Sequence, residues 1–160
     1  MNITEPIFAR NCEARRIDKE TAGAFLNKYH RFGDAKCRYR YGLFVKRRTG
    51  ASECISDAGS LVAVAEFSNA RRWVKPEGVT RSYEWIRYAS PEGVRIVGGM
   101  GKLLQLFVDE VHPDDVMSYA DPEWGDGGNA YLKLGFTLEG EVSKDGWKNL
   151  KFRKTFKTQK

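Results

Sequence analysis

Residues 97–104 place a cluster of glycines at the start of an apolar helix. The segment reads Val-Gly-Gly-Met-Gly-Lys-Leu-Leu, and the apolar residues after it recur with the period of one helix face. Glycines at a helix start leave backbone N–H groups uncovered, and the helix dipole adds partial positive charge there. The segment therefore predicts a binding site for a phosphate or pyrophosphate. The alternative is an ordinary glycine-rich turn before a core helix.

The chain after this helix predicts a strand, a short helix and a hairpin. His112-Pro113 ends the long helix, because a proline disfavours helical conformation at the residue before it. A strand is predicted at 115–121 and a short helix at 127–134, with a glycine directly after its end. The segments 136–141 and 147–156 then pair as a hairpin about an Asp-Gly turn.

The first half of the chain predicts strands around one further helix. Asp18 is a suitable N-cap, apolar residues follow it at helical spacing up to Tyr29, and Gly33 fits just past the helix end. Leu61–Phe67 is a nearly continuous apolar run, which is typical of a central strand buried on both faces. Three more strands and two loops are predicted, the strands at 6–17, 37–47 and 82–89 and the loops at 48–60 and 69–80.

These elements predict one domain, residues 1–160, of the α+β (α/β) class with a mixed sheet, and the length suffices for a real core. No apolar run approaches the roughly 20 residues that span a bilayer, and no apolar signal segment opens the chain. Cys12, Cys37 and Cys54 form no C-x-x-C pair, which favours free thiols over disulfides or a zinc site. We therefore expect a cytoplasmic protein without membrane contacts.

The net charge of +6 is concentrated in a few segments. Basic residues cluster between residues 36 and 48 and again in the last 17 residues, with aromatic residues between them. Such clusters neutralise phosphates and release counterions, and the aromatic rings allow bases to stack. The alternative is a solvated strand face with its usual cations. The residues predicted to contact nucleic acid are Lys46, Arg47, Arg48, Arg71 and Arg72.

The order of glycine loop, helix, strand and Tyr131-x-x-x-Gly135-Phe136 resembles the GCN5-related N-acetyltransferase superfamily. That superfamily has a mostly antiparallel central sheet flanked by helices, and its loop usually reads Arg/Gln-x-x-Gly-x-Gly/Ala. Residues 95–100 fit this pattern except for Met100 at the last position. The resemblance implies acetyl-CoA or a related acyl-CoA as cofactor. The residues implied to bind it are Arg95, Val97, Gly98, Gly99, Met100, Gly101, Lys102 and Asn129.

Five shorter motifs recur in the same order in phage-encoded proteins of that superfamily. They are Tyr-His-Arg-Phe-Gly at 29–33, Tyr-Gly-Leu-Phe at 41–44, Glu-Trp-Ile-Arg at 84–87, Val-Gly-Gly at 97–99 and Ser-Tyr-Ala-Asp at 118–121. This group resembles the phage Mom DNA-modification family, and some of its members are described as homing-endonuclease-like. The resemblance implies a phage or prophage setting and nucleic acid, DNA above all, as acceptor. It leaves a metal requirement and the oligomeric state open.

Five residues are candidates for catalysis. Asp121 ends a strand, where ligands collect in open α/β sheets, and Tyr119 points to the same side; Asp121 is alternatively a turn-former before a proline. Glu84 can orient a substrate amine if a bulge brings it beside Arg87, and the two residues are alternatively ends of surface ion pairs. His30 is a candidate base or a helix cap. Tyr131 occupies the position at which the superfamily often has its general acid, so it can donate a proton to the leaving thiolate. The alternative is an aromatic residue that only packs its helix against the core.

The sequence thus predicts an acyl-CoA-dependent transferase that modifies an amine of nucleic acid. Two alternatives stay open. One is a non-catalytic nucleic-acid-binding module on the same fold, and the other is an N-acetyltransferase of a protein or small-molecule amine.

Overall fold

The computed structural model describes residues 6–46, 59–144 and 146–156. They form ten strands, three α-helices and a short 3₁₀ turn at Ala9–Asn11. The elements are β1 (Pro6–Phe8), β2 (Cys12–Arg16), α1 (Lys19–Tyr29), β3 (Tyr39–Val45), β4 (Leu61–Phe67), β5 (Arg71–Lys75), β6 (Gly78–Ala89), β7 (Arg95–Val97), α2 (Gly99–Val111), β8 (Asp115–Ala120), α3 (Asn129–Lys133), β9 (Thr137–Lys144) and β10 (Trp147–Thr155).

The contacts divide the chain into two compact units. The first unit contains residues 1–67 and 87–112, and the second contains residues 68–86 and 113–160. The long strand β6 contributes its last three residues to the first unit and the rest to the second.

The first unit is built on the antiparallel strands β2, β3 and β4. On one face, Phe25 and Leu26 of α1 pack with Val64 of β4. On the other face, Phe107 of α2 stacks on Phe67 with ring centroids 4.0 Å apart. The strand residues are buried because a helix covers each face, which explains the nearly continuous apolar run of β4. The short strands β1 and β7 form a separate parallel pair.

The second unit contains β5, most of β6, β8, β10 and β9, in that order across the sheet. The β6–β8 pair is parallel, whereas the other pairs are antiparallel. One face of this sheet is apolar: Trp85, Phe136 and Phe152 are buried there, and all three rings lie within 6.3 Å of another aromatic ring. The prediction of a mixed, mostly antiparallel sheet flanked by helices is confirmed.

Most predicted elements are present, but two predictions were wrong. The predicted loop at 69–80 contains β5 and the start of β6, which form a hairpin whose residues from 71 to 79 are all exposed. The predicted strand at 6–17 is broken by the 3₁₀ turn. The predicted loop at 48–60, with Cys54, lies almost wholly outside the described residues. No helix of the described residues is both long and apolar enough to cross a membrane.

Candidate active site

The glycine loop lies in the first unit, where β7 meets α2. Gly98 is the N-cap of α2 and adopts a left-handed conformation with φ of 81°, which favours glycine. The backbone N–H of Lys102 donates to Gly98 O at 3.0 Å and so closes the first helical turn. The N–H groups of Gly99, Met100 and Gly101 precede this bond and have no acceptor within the helix. These three groups, at the positive end of the dipole, form the part of the predicted loop that can bind an anion.

Gly99 and Lys102 have structural roles in this loop. A Cβ atom on Gly99 would lie 2.5 Å from Ile96 Cγ2, so only glycine allows the helix start to approach β7 this closely. Lys102 Nζ donates to Ala9 O at 2.9 Å and to Cys12 O at 2.6 Å, so its ammonium group holds the turn between β1 and β2. Arg95 and Val97 lie on β7 and are exposed.

His30 also lies in the first unit, at the C-terminal end of α1. Its Nδ1 accepts a hydrogen bond from the backbone N–H of Phe32 at 3.0 Å. Burial, followed by the positive charges of Arg87 and Arg31, lowers the pKa of His30 to about 4. The ring is therefore neutral at pH 7 with its proton on Nε2, and its one basic nitrogen is already engaged. This arrangement favours the cap over the general base.

The second unit contains an opening between two parallel strands. β6 and β8 pair at residues 82–84 and 115–117, and both strands continue beyond these residues. Just past the last pair, Ser118 Oγ lies 2.9 Å from Trp85 O and 2.8 Å from Tyr131 Oη. A serine hydroxyl has a single proton, and a carbonyl can only accept. The arrangement that satisfies all three groups has Tyr131 donating to Ser118 and Ser118 donating to Trp85 O.

Tyr131 is held by aromatic packing and by a loop carboxylate that the sequence did not reveal. Its ring packs edge-on against Trp85, with centroids 5.7 Å apart. Asp126 Oδ1 accepts from the N–H of Gly128 at 3.0 Å and Oδ2 from the N–H of Ala130 at 2.9 Å, so Asp126 fixes the start of α3. Burial raises the pKa of the Tyr131 phenol, which keeps it protonated at neutral pH.

Gly128 determines how closely α3 approaches the sheet. It has φ of 91°, and a Cβ atom there would lie 2.5 Å from the Phe152 ring and 3.0 Å from Ala120 Cβ. The signal in the sequence was the Gly-Asp-Gly-Gly run at 125–128, which on its own indicates no more than a turn. Asn129, a predicted cofactor ligand, is exposed and donates its N–H to Asp126 O at 3.3 Å.

Asp121 lies at the end of β8 and forms a turn. Its Oδ1 accepts from the N–H of Glu123 at 2.9 Å, and its carbonyl oxygen accepts from the N–H of Trp124 at 3.1 Å. These bonds support its role as the turn-former before Pro122. They leave the carboxylate partly exposed at the strand end.

Glu84 and Tyr119 lie on the polar face of the second unit. Glu84 lines a cavity of about 270 Å³, and the other lining residues are Ser68, Asn69, Ala70, Arg71, Ser82 and Met117. Tyr119 is 36% exposed; burial and then the charge of Glu84 raise the pKa of its phenol. In the second unit, the charges of Glu84 and Arg71 both act on the Tyr119 phenol. Arg87 belongs to the first unit, where its Nε donates to Gly33 O at 2.9 Å.

The predicted nucleic-acid contacts lie in both units. Lys46 is exposed in the first unit, and Arg71 and Arg72 are exposed on β5 in the second. Arg47 and Arg48 lie outside the described residues. Residues 6–46, 59–144 and 146–156 contain no group of three or more His, Cys, Asp and Glu side chains that could hold a metal ion.

No protein-family model matches the chain, and no curated protein sequence matches it. Solved structures do. The NatC complex bound to Gag peptide and CoA is 14% identical over 92% of this chain and 99% of its own, with a TM-score of 0.62. Arabidopsis thaliana NAA60 with acetyl-CoA is 11% identical over 90% and 98%, with a TM-score of 0.65. Vibrio cholerae spermidine/spermine N-acetyltransferase SpeG is 10% identical over 92% and 94%, with a TM-score of 0.58. At these identities the likeness concerns the fold, and this chain has the fold of these N-acetyltransferases.

Proposed function

We propose that this protein transfers an acyl group from an acyl-coenzyme A to an amine. The observation that carries the proposal is the Tyr131 hydroxyl beside Ser118 and Trp85 O, where β6 and β8 stop pairing. The fold supports it as well, because two of the similar structures contain CoA or acetyl-CoA. Acyl-coenzyme A would supply the acyl group as a thioester.

The residues of the glycine loop fit the pyrophosphate of such a donor. The N–H groups of Gly99, Met100 and Gly101 lack helical acceptors, and exposed Gly98 leaves the backbone open to approach. Asn129, Arg95 and Val97 stay proposed donor contacts on the strength of the family pattern. The Lys102 ammonium is engaged by two carbonyl groups, so its part is to fix the loop.

Tyr131 is proposed as the general acid. When the amine nitrogen bonds to the acyl carbon, the carbon–sulfur bond breaks and a thiolate leaves. Tyr131 gives the sulfur the proton that it otherwise donates to Ser118 and then regains one from solvent, and its raised pKa keeps the phenol protonated until then. Glu84 is the proposed acceptor of the proton that the amine loses, because its cavity is open to the polar face. Asp121 and Tyr119 of the second unit and His30 of the first each stay proposed catalytic residues on the strength of the motifs that contain them.

Acyl transfer is tested by measuring free thiol released from acetyl-CoA in the presence of amines. The amine panel contains a peptide with a free N-terminus, a polyamine and a short oligonucleotide. Amine-dependent thiol release, together with the acylated amine detected by mass spectrometry, is the expected result. Absence of release with every acyl-CoA and amine in the panel contradicts the proposal.

Nucleic acid is the second proposed acceptor class, as the Mom-like motifs imply. The β5–β6 ribbon, residues 71–79, supports it: it is exposed throughout, and β5 carries Arg71, Arg72 and Lys75 with Trp73 between them. A two-stranded ribbon fits the major groove, basic residues neutralise phosphates, and an exposed indole can stack on a base. The setting proposed with it is a phage-infected or prophage-carrying cell.

Binding of a short labelled DNA duplex across a salt series tests this second candidate. Arg72→Gln should reduce the slope of log affinity against log salt by about 1, as expected for one lost phosphate contact. Lys19→Gln removes an exposed cation from α1 and serves as the control. An unchanged slope in Arg72→Gln, or no binding at low salt, rejects the ribbon as a nucleic-acid contact. Mass spectrometry of nucleosides after the reaction then shows whether a base is acylated.

A further inference from the structure

The ribbon formed by β5 and the start of β6 extends beyond the rest of the sheet in the second unit. β8 and β10 reach only as far as Asp115, which pairs with Ser82 on one side and with Thr155 on the other. β5 and β6 continue to pair for four more positions, as far as Lys75 and Gly78. A corner is therefore left between the ribbon and the ends of β8 and β10. A cavity of about 360 Å³ lies at this corner.

Asp114 lines this cavity from the position before β8 and is held in place by three hydrogen bonds. Its N–H donates to Arg81 O at 3.1 Å, and its carbonyl oxygen accepts from the N–H of Phe156 at 2.8 Å. Its Oδ2 accepts from the N–H of Arg81 at 2.7 Å. Asp114 is partly exposed, and its Oδ1 has no hydrogen-bond donor within the described part of the chain. The cavity thus offers a positioned acceptor to a ligand.

A second carboxylate in the cavity, that of Asp115, is already engaged. Its Oδ1 accepts from Arg153 Nη1 at 2.6 Å, and its Oδ2 accepts from the Ser82 hydroxyl at 2.9 Å. Arg153 also donates from Nε to Glu139 Oε2 at 2.8 Å. These residues satisfy one another, so they shape the cavity and leave the recognition of a ligand to Asp114.

Trp73 supplies an aromatic surface to the same cavity. It lines the cavity and is 49% exposed, so part of its indole remains uncovered. Lys75 lies two residues along on the same face of β5 and is exposed. The two acids and the two cations that line the cavity balance in charge. A neutral flat ring with an N–H donor therefore fits the cavity, and an anion attached to that ring fits Lys75.

We propose that this cavity binds one unpaired nucleotide whose base carries an exocyclic amino group, as cytosine does. The base stacks on Trp73, its amino group donates to Asp114 Oδ1, and a neighbouring phosphate lies against Lys75. A ring without an N–H donor leaves Asp114 without a partner. An alkylammonium ion meets the two cations of the cavity and has no ring for the indole.

A single strand of nucleic acid is the source of this nucleotide that the surface favours. Arg71 lies two residues before Trp73 on the same face of β5, so cations flank the indole on both sides and can contact successive phosphates. Ser82 also lines the cavity that contains Glu84, so the two cavities adjoin. The inference rests on the proposed nucleic-acid acceptor for its role, which is to select a nucleotide next to the modified one.

Fluorescence anisotropy with three short single-stranded probes tests this site on the full chain, without any acyl-CoA. All units of each probe are abasic except the central one, which carries cytosine, uracil or no base. Uracil has a carbonyl oxygen in place of the amino group of cytosine. We expect the wild-type protein to bind the cytosine probe at least roughly tenfold more tightly than either of the others. Equal binding of the three probes overturns the proposal.

Asp114→Asn should reverse this preference. The N–H of Arg81 needs an acceptor, so the amide oxygen takes the place of Oδ2 and the amide NH₂ group faces the base. An N–H donor at that position suits the carbonyl oxygen of uracil and opposes the amino group of cytosine. The variant should therefore bind the uracil probe more tightly than the cytosine probe. A retained preference for cytosine overturns the proposal.

Trp73→Ala tests the stacking. It should bind the cytosine probe at least roughly tenfold more weakly and leave the affinity for the abasic probe unchanged. Trp124→Ala removes another exposed indole of the second unit, outside the cavity, and should bind all three probes like wild type. Full affinity of Trp73→Ala for the cytosine probe overturns the proposal.

The phosphate contact and the source of the nucleotide need two further measurements. Lys75→Gln should weaken binding of the cytosine and abasic probes alike, and reduce the slope of log affinity against log salt by about 0.7, as for one phosphate of a single strand. Deoxycytidine monophosphate, added as a competitor, should bind at least roughly tenfold more weakly than the cytosine probe, because it offers one phosphate only. Equal affinity would identify a free nucleotide as the ligand of the same site.

The outcome is separable from that of the proposed function. Preference for the cytosine probe without thiol release from any acyl-CoA would leave a nucleotide-binding site and reject the acyl transfer. Thiol release with an oligonucleotide, together with equal binding of the three probes, would reject this site and leave the acyl transfer.

Discussion

Ser118 Oγ and Tyr131 Oη lie 2.8 Å apart, just beyond the last paired residues of β6 and β8. Ser118 Oγ also donates a hydrogen bond to Trp85 O of β6. The two strands are therefore joined there by a side chain, one residue beyond their last backbone pair. The hydroxyl of Tyr131 is thereby held at the opening between two strands. A positioned, protonated phenol is the property that a general acid needs.

Asp126 should stabilise the start of α3, the helix that contains Tyr131. Asp126→Ala removes the acceptor of two N–H groups at the start of α3 and should destabilise the fold by about 1 kcal/mol, as loss of a helix cap does. Thermal denaturation measures this loss. Asp126→Asn keeps one oxygen and should recover part of it, while exposed Glu123→Gln in the same loop should resemble wild type. Equal stability of Asp126→Ala and wild type would contradict the cap.

The stability of the protein should depend on pH through Glu66. Its folded-state pKa of about 7 lies above the ordinary value of 4.5, so the folded protein binds more protons than the unfolded chain between these values. The contribution is fully present below pH 4.5 and is lost as the pH rises through 7, with a slope of at most about 1.4 kcal/mol per pH unit.

Comparison with Glu66→Gln isolates this effect. His30 acts in the opposite direction, because its lowered pKa makes the folded state less stable as the pH falls below 6.5. The variant retains His30, so the difference in unfolding free energy between variant and wild type should grow in favour of the variant from about pH 5 to about pH 8. Chemical denaturation across this range measures it. A difference that does not change with pH would show that Glu66 is ionised throughout.

The glycine loop is best tested at Met100, because any side chain on Gly99 would collide with Ile96. Met100→Asp places a carboxylate in the first turn of α2, where it should stabilise the helix by roughly 0.3–1 kcal/mol and compete with a bound anion. Met100→Asn has the same shape without the charge. We expect acetyl-CoA to bind the Asp variant at least roughly tenfold more weakly than the Asn variant in calorimetry. Equal affinities would place the anion elsewhere.

The sequence predicted those elements whose burial follows a simple period. The apolar spacing of α2 and the continuous run of β4 identified both correctly. β5 was missed because all five of its residues are exposed, so neither alternation nor an apolar run marks it. β7 was missed because it has three residues and its partner β1 lies almost 90 positions earlier.

The site residues were harder to predict, because their roles depend on contacts between distant positions. Tyr131 could be named from its motif, but nothing in the Ser-Tyr-Ala-Asp motif at 118–121 indicated that Ser118 contacts Tyr131. Asp126 belongs to a glycine-rich run that looks like any turn. Glu66 is the one charged residue in the apolar run of β4, and its partly buried neighbour Arg40 comes from another strand.

The most direct test of the account is thiol release from acetyl-CoA with a primary alkylamine, compared between wild type and Tyr131→Phe. The variant keeps the aromatic packing and loses one hydrogen bond, at a cost of about 1 kcal/mol in stability. We expect wild type to release thiol only when the amine is present. We expect Tyr131→Phe to bind acetyl-CoA normally and to turn over about 10²-fold more slowly or worse. Equal turnover by the two folded proteins, or no thiol release by wild type, would contradict the account.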